Sequence, residues 1–330
     1  MRSDITIIIV AGPKDEPYIR ANLECIARRN DNVLPKVIIV DNGAKITGEP
    51  GITAPMHATL VEGVAQDTRY PERYRASYQH GAALNHVLAS HVITTRYLLI
   101  LDPDFYVVAL GWIDAVTAHM QKEGLAFFGA PWHPRWYNKY RYFPCPHFLC
   151  VDTQAAPPAT LNFTPHLREN VLLAEARAAK QQMKTSWRLA YELLRCAAML
   201  TINRFSIGQA CDTGYLLERR YAKSALHKAG LLQPVFSPAH AEPACVRTAR
   251  FRALERCLPD AISYIPKRQH YYSETGFSAY GLTDVQALGW EEFLWRGRPF
   301  GFHLRRLSRV ARDNEADLRM LAETLACLSA

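Results

Sequence analysis

The sequence predicts an α/β fold: a mostly parallel central sheet flanked by helices, with a helical insertion and a C-terminal helix. Three observations carry this. Ile5-Thr-Ile-Ile-Ile-Val10 is a β-branched run that stops at Ala11-Gly12-Pro13, a strand followed by a turn. Residues 16–29 place Leu23, Ile26 and Ala27 at helical spacing, and Val37-Ile-Ile-Val40 then supplies a second strand that ends at Asp41-Asn42-Gly43. Strand, helix, strand, with a polar exit from each strand, is a βαβ unit and implies parallel pairing. Finally, the apolar run after Arg96-Tyr97, Leu-Leu-Ile-Leu, reads as a strand buried on both faces.

The remaining elements follow in order. Residues 43–56 are rich in Gly and Pro and read as a loop, and Ala58-Thr-Leu-Val61 as a short third strand. The spacing of Ala83, Leu84, Val87 and Leu88 predicts a helix over 75–91 that feeds the Tyr97 strand. Gly111-Trp112-Ile113 opens the next helix, to about Lys122, and Leu125–Ala130 is another buried strand. From Pro131 to His147 the composition shifts to aromatics, prolines and basic residues, a make-up suited to binding hydroxylated ligands, or to a lid over the core. A strand follows over His147–Asp152, and two helices are expected over 167–182 and 185–199. Asp212-Thr213-Gly214 precedes a helix predicted over Tyr215–Ala229, with Asp212 suited to its N-cap. Short strands are expected at Val235-Phe236, Ile262–Ile265 and Phe300–Leu304, and an amphipathic helix at Asn314–Leu328.

The Tyr97 strand breaks into Asp102-Pro103-Asp104. Proline ends ladder pairing, so both carboxylates fall at the carboxyl end of a central strand, where ligands bind in open α/β sheets. Carboxylates at i and i+2 around a rigid residue can share one hard divalent cation, Mg²⁺ or Mn²⁺, whose shell is completed by water and substrate phosphates. A polar strand-to-loop exit is the alternative meaning of the same three residues.

Composition sets limits on partners. The chain has 330 residues, 49% hydrophobic and 21% charged, as a folded globular protein does. No apolar run reaches the roughly 18–20 residues needed to span a bilayer. The apolar run after Met1 is short and leads straight into Lys14-Asp-Glu, so it reads as a core strand of a cytoplasmic protein rather than a signal peptide. The eight cysteines form no Cys-x-x-Cys pair, which argues against a zinc site or a disulfide framework. Net charge is +8, and basic residues cluster late in the chain, at Arg247, Arg250, Arg252, Arg256, Lys267 and Arg268 and then from Arg296 to Arg312. Nucleic acid, an anionic membrane surface or a phosphorylated small substrate all fit such a skew. No nucleic-acid module signature is present, so nucleic acid is not an expected partner.

Taken together, four pieces resemble a nucleotide-sugar glycosyltransferase of the GT-A fold, closest to glycosyltransferase family 2. They are the Ile5–Val10 strand, Val37-Ile-Ile-Val-Asp41-Asn42-Gly43, His80-Gly-Ala-Ala-Leu-Asn85, and Leu99-Ile-Leu-Asp102-Pro-Asp104, in that order. The third matches the family's Gly-x-x-x-Asn segment and the fourth its Asp-x-Asp motif. The match covers residues 5–152 well and the remainder loosely. The resemblance implies a donor-binding half over 1–130 and an acceptor-binding half over 131–330, in one continuous domain.

It also implies roles. Asp41 and Asn42 would contact the nucleoside of a nucleoside-diphosphate sugar, and Asn85 its ribose or diphosphate. Asp102 and Asp104 would hold the divalent metal (Mn²⁺ or Mg²⁺) against the diphosphate. Gly301-Phe-His303-Leu-Arg305-Arg306-Leu-Ser-Arg309 resembles the late segment that places a histidine and basic residues near the diphosphate. His303 is thus a third candidate metal ligand, and Arg305 and Arg309 candidate phosphate contacts. Asp212 is the candidate general base, with Asp152 in reserve. The expected acceptor is a saccharide or glycolipid hydroxyl in surface polysaccharide or glycoconjugate synthesis, with peripheral contact at the inner face of the membrane. The sequence departs from the family at Ala11-Gly12-Pro13-Lys14, where Pro-x-Tyr-Asn is more usual, and in offering a single acid at Asp212. Two alternatives remain: a non-catalytic carbohydrate-binding protein on this scaffold, and a sugar nucleotidyltransferase. The second lacks its Gly-rich, Arg-containing phosphate loop here.

Overall fold

β-Branched residues set the first strand. β1 (Arg2–Ala11) buries Ile5, Ile7, Ile8 and Ile9 completely or nearly so, on both faces. The computed structural model describes residues 2–30, 33–44, 46, 58–65, 67–68, 70, 72–90, 93–136, 139–166, 187, 190, 212–238, 249–260, 263–304 and 314–327. The two helices expected between 167 and 199 therefore lie outside the described residues, apart from Trp187 and Ala190.

After β1 come α1 (Glu16–Arg29), β2 (Leu34–Asp41), β3 (Thr59–Glu62), α2 (Glu72–Ser90) and β4 (Tyr97–Leu101). Then follow β5 (Phe105–Val107), α3 (Trp112–Glu123), β6 (Leu125–Pro131) and β7 (Pro144–Asp152). The rest are α4 (Tyr215–Tyr221), β8 (Lys228–Leu231), β9 (Gln233–Pro234), α5 (Ala249–Cys257), β10 (Glu291–Trp295), β11 (Arg298–His303) and α6 (Asn314–Cys327).

A seven-stranded sheet runs in the order β3-β2-β1-β4-β7-β6-β8. Its pairs are parallel except at β7, which is antiparallel to both β4 and β6. The mostly parallel sheet read from the sequence is thus the observed one. Ile7, Ile9, Leu99 and Leu101 face α1 and α3 on one side. Ile8, Val10, Leu98 and Ile100 face α2 and α4 on the other. Cover on both faces explains why these strands are apolar throughout rather than alternating.

A second, four-stranded sheet, β5-β11-β10-β9, is antiparallel. The chain turns out of the main sheet at Asp102–Asp104, and β5 pairs with β11 through Phe105↔His303. Residues nearly two hundred positions apart therefore meet at the end of β4. This second sheet packs with Tyr18 and Cys25 of α1 and Leu321 of α6.

Three expected elements differ from the structure, the first by a shift of two residues: the strand expected at Val235-Phe236 lies at Gln233–Pro234, with Val235 forming an isolated bridge to Ser273. The helix predicted over Tyr215–Ala229 stops at Tyr221, and Lys228–Leu231 instead extends the sheet beside β6. Gly230 permits that approach, because a Cβ there would lie 2.7 Å from the Leu125 side chain and 2.9 Å from that of Phe128. Tertiary pairing has overridden a helix-favouring composition. The described part of the predicted Ile262–Ile265 strand is not a strand either. The buried Glu255 carboxylate accepts the N–H groups of Tyr264 (3.0 Å) and Ile265 (3.2 Å), donors a ladder would have used.

Candidate active site and metal centre

In the main sheet, β2 and β3 lie to one side of β1 and β4 to the other, so the strand order reverses between β1 and β4. The strand ends diverge at such a point and leave a crevice outside their carboxyl ends. A cavity of about 340 Å³ lies there, lined among others by Gly12, Asn42, His80, Asp102, Asp104, Trp132, His147, Asp212 and His303.

The Asp102–Asp104 turn is fixed from below. Asp102 N–H bonds to His147 O (3.0 Å) and Phe105 N–H to Asp102 O (3.1 Å). Asn22 of α1, 1% exposed, donates to the carbonyls of Pro103 (3.1 Å) and Phe105 (2.9 Å). A buried side-chain amide with two backbone acceptors leaves the turn little freedom.

Three histidines converge on the carboxylates. His147 Nδ1 lies 2.8 Å from Asp102 Oδ2, and His303 Nε2 lies 3.1 Å from Asp104 Oδ1 and 3.9 Å from Asp102 Oδ2. The two imidazole centroids are 4.4 Å apart, and the His147 ring meets Trp132 edge-on at 4.5 Å. His80 Nε2 approaches Asp102 Oδ1 at 3.8 Å. Burial disfavours the charged form of Asp102, yet the hydrogen bond from His147 and the proximity of His147 and His80 hold its carboxyl below the ordinary value. Burial likewise opposes charge on His303, but Asp104 and Glu291 flank its ring and push it up to about 9.

These residues fit a divalent cation. Asp102, His147 and His303 each offer an atom to a set lying within 4.8 Å of one another, and Asp104 adjoins His303. Carboxylate and imidazole donors together suit Mn²⁺ and similar ions. Each carboxylate–imidazole hydrogen bond here is a place where a metal can replace the shared proton. His303 Nδ1 is engaged by Glu291 Oε2 at 3.1 Å, which leaves Nε2 directed at the carboxylates.

Asp212 lines the same cavity. Gly214, at φ +87°, lets the chain turn directly after it, where a Cβ would lie 2.6 Å from Tyr140 Oη. The α4 N-cap is Gly214 rather than Asp212, whose carboxylate instead accepts Thr213 N–H (2.8 Å) and pairs with Lys139. Burial works against ionisation of Asp212, but the Lys139 ammonium beside it outweighs burial and holds the carboxyl well below the usual carboxylate range. Lys139 also sits over the Trp132 ring, 4.6 Å from its centroid.

Other sequence candidates lie elsewhere. Asp41 accepts Gly43 N–H (3.1 Å) and Ile46 N–H (2.8 Å), closing its own turn, and is not among the cavity-lining residues. Asn42 does line the cavity, and its Oδ1 is buried without a hydrogen-bond partner. Asn85 faces the 162–164 segment, accepting Phe163 N–H (2.9 Å) and donating to Thr164 Oγ1 (3.0 Å). Asp152 pairs with Arg96 (3.1 Å), and its register partner is Tyr97, so it sits at the opposite end of β4 from Asp102. Arg305 and Arg309 lie outside the described residues. Sequence reasoning missed His80, His147, Lys139 and Glu291 as site residues. The one local signal was His147, at the start of a strand predicted after the aromatic loop.

No protein-family model matches the chain, and neither does any curated protein. Among solved structures, it is similar to the mannosyltransferase PcManGT from Pyrobaculum calidifontis in complex with GDP-Man and Mn²⁺, at 17% identity and a TM-score of 0.34, covering 49% of this chain and 48% of that one. S. aureus TarS matches at 14% identity and a TM-score of 0.34, covering 50% and 51%. The galactosyltransferase LgtC, in complex with donor and acceptor sugar analogs, matches at 9% identity and a TM-score of 0.31, covering 47% and 58%. The chain thus spans about half the length of the solved structures it matches. Among the described residues no helix is long and apolar enough to cross a membrane. The likeness is to about half of each neighbour, and what this chain can do is read from its own cavity, where two carboxylates and two imidazoles meet at the reversal of strand order.

Proposed function

We propose that this chain is a metal-dependent glycosyltransferase of the GT-A type, moving a sugar from a nucleoside diphosphate to an acceptor hydroxyl. The observation that carries the reading is the convergence of Asp102, Asp104, His147 and His303 at the crevice outside β4. A carboxylate–imidazole cluster at this point suits a cation bound together with a diphosphate. When bound, the cation supplies positive charge to the oxygens of the leaving diphosphate.

The protein's own residues do the rest. Asp102, Asp104 and His303 hold the ion, and Asn42, with its buried unpartnered oxygen, faces the nucleoside portion of the donor. Asp41 and Asn85 act on the donor side by shaping the β2 turn and the 162–164 segment. Arg305 and Arg309 belong to a basic stretch suited to the phosphates and to an anionic membrane surface. Asp212, ionised and in the same cavity, is the base. In an inverting transfer the acceptor oxygen bonds to the anomeric carbon as the bond to the diphosphate breaks. The electron pair leaves with the diphosphate, and the acceptor proton passes to Asp212. The aromatic loop, which brings Trp132 to the cavity lining, stands on the side of a saccharide or glycolipid acceptor of polysaccharide or glycoconjugate synthesis.

The test is release of nucleoside diphosphate from a panel of nucleotide-sugars with Mn²⁺ and with EDTA. Metal-dependent release from one donor supports the reading. Nucleotide-sugar bound without release, with or without an acceptor panel, would make the chain a binding protein instead.

A further inference from the structure

Glu291 is completely buried, and both of its carboxylate oxygens are used. It stands opposite His303 in the β10–β11 register. Oε2 receives His303 Nδ1 at 3.1 Å, and Oε1 receives the Trp136 indole N–H at 2.6 Å. Arg135 Nε lies 3.6 Å from Oε1, and its other nitrogens donate to Gly289 O (3.0 Å) and Trp290 O (2.9 Å). Trp136 and Arg135 belong to the aromatic loop, whereas His303 belongs to the cation cluster. A buried ion pair of this kind is a weak source of stability, because desolvation of the two charges offsets most of their attraction. Its geometry, by contrast, is specific: one oxygen for each of two functional elements.

We propose that Glu291 is a positioning residue that aims His303 at the metal and, through Trp136, ties that aim to the placement of the aromatic loop. The proposal rests on the metal reading given above. With Nδ1–H held by Glu291, the ring keeps its Nε2 toward Asp104, the orientation a ligand requires. The neighbouring Glu292 supplies an internal control. It is equally buried, but its carboxylate accepts the N–H groups of Phe277 (2.9 Å) and Val285 (3.1 Å), away from His303.

The experiment is calorimetric titration of the full chain with Mn²⁺ alone, for the wild type, Glu291→Gln, Trp136→Phe, the double variant and Glu292→Gln, each with its melting temperature. Glu291→Gln is expected to weaken Mn²⁺ binding about 10–100-fold, the usual loss for a partner of a metal-bound histidine. Trp136→Phe keeps the ring, removes the donor, and is expected to weaken binding by a smaller factor that disappears in the Glu291→Gln background. Glu292→Gln is expected to lower the melting temperature without changing Mn²⁺ affinity. Wild-type affinity in both Glu291→Gln and Trp136→Phe would overturn the positioning role while leaving the metal reading intact. An equal loss of affinity in Glu292→Gln would overturn it too, by exposing a general structural effect. No binding by the wild type would instead remove the metal reading on which the proposal rests. If Glu291→Gln fails to fold, unchanged affinity in Trp136→Phe overturns the link to the loop, and a loss there supports it.

Discussion

Glu291 and His303 face one another across an antiparallel strand pair, joined by a 3.1 Å hydrogen bond between carboxylate and Nδ1. The other nitrogen of the same ring reaches Asp104 at 3.1 Å. His303 is therefore bracketed by two carboxylates, one buried on β10 and one in the turn at the cleft. That bracket joins the antiparallel sheet to the end of β4 and brings the late part of the chain into the candidate site.

If His303 and Asp104 hold the ion together, each should matter to metal affinity. His303→Ala and Asp104→Asn are each expected to weaken Mn²⁺ binding by about 100-fold or more, exceeding the roughly 10–100-fold expected of a residue behind the ligands. Calorimetry checks this, and unchanged affinity in either variant removes that residue from the metal site.

Asp212→Asn should lower kcat on the order of 10²–10⁴-fold, the usual share of a general base, with donor KM little altered. Lys139→Met should move the acidic limb of the kcat/KM profile to higher pH. Removing the ammonium takes away what holds the Asp212 carboxyl down, and burial then favours the protonated form. A profile that does not move separates Asp212 from the titration.

His133 gives a pH prediction for stability. It is 2% exposed, with Nε2 2.8 Å from Val235 O, while Nδ1 accepts from Arg135 N (3.3 Å) and Nε (3.2 Å), so the neutral ring satisfies both nitrogens. Burial, reinforced by Arg135, lowers its pKa from 6.5 to about 4. Between those values the unfolded chain takes up a proton that the folded chain does not, so stability falls as pH drops. The slope approaches about 1.4 kcal/mol per pH unit, or about 3 kcal/mol across the window. Urea unfolding at several pH values should show this dependence, and His133→Gln should flatten it.

Glu255→Ala should cost about 3 kcal/mol of stability, because Tyr264 and Ile265 then lose buried acceptors for their N–H groups. Denaturant midpoints measure it; a change below about 0.5 kcal/mol would mean that those donors find other partners.

Much of the frame was legible because it is local. The runs Ile5–Val10, Val37–Val40 and Tyr97–Leu101 carry their own strand signal, and Asp102-Pro-Asp104 announces its exit from the sheet. The candidate site was legible only in part, because its members come from distant pairings. Asp102 and His147 are 45 residues apart, and Asp104 and His303 are 199 apart. His147 meets Asp102 only because β7 inserts antiparallel beside β4, in register Leu101↔Phe148. Nothing in the local sequence of Glu291 distinguishes it from Glu292, and opposite strand faces send one to the cluster and the other to a loop. Asp212 reads as a helix cap by position, whereas Lys139, from a loop far earlier in the chain, determines its charge.

The most direct measurement is calorimetric titration of a nucleoside diphosphate panel, in Mn²⁺ and in EDTA. One nucleotide is expected to bind in Mn²⁺, with binding lost in EDTA and lost in Asp104→Asn. Binding that is indifferent to the metal, or no binding of any nucleotide by the folded chain, would contradict the proposed function.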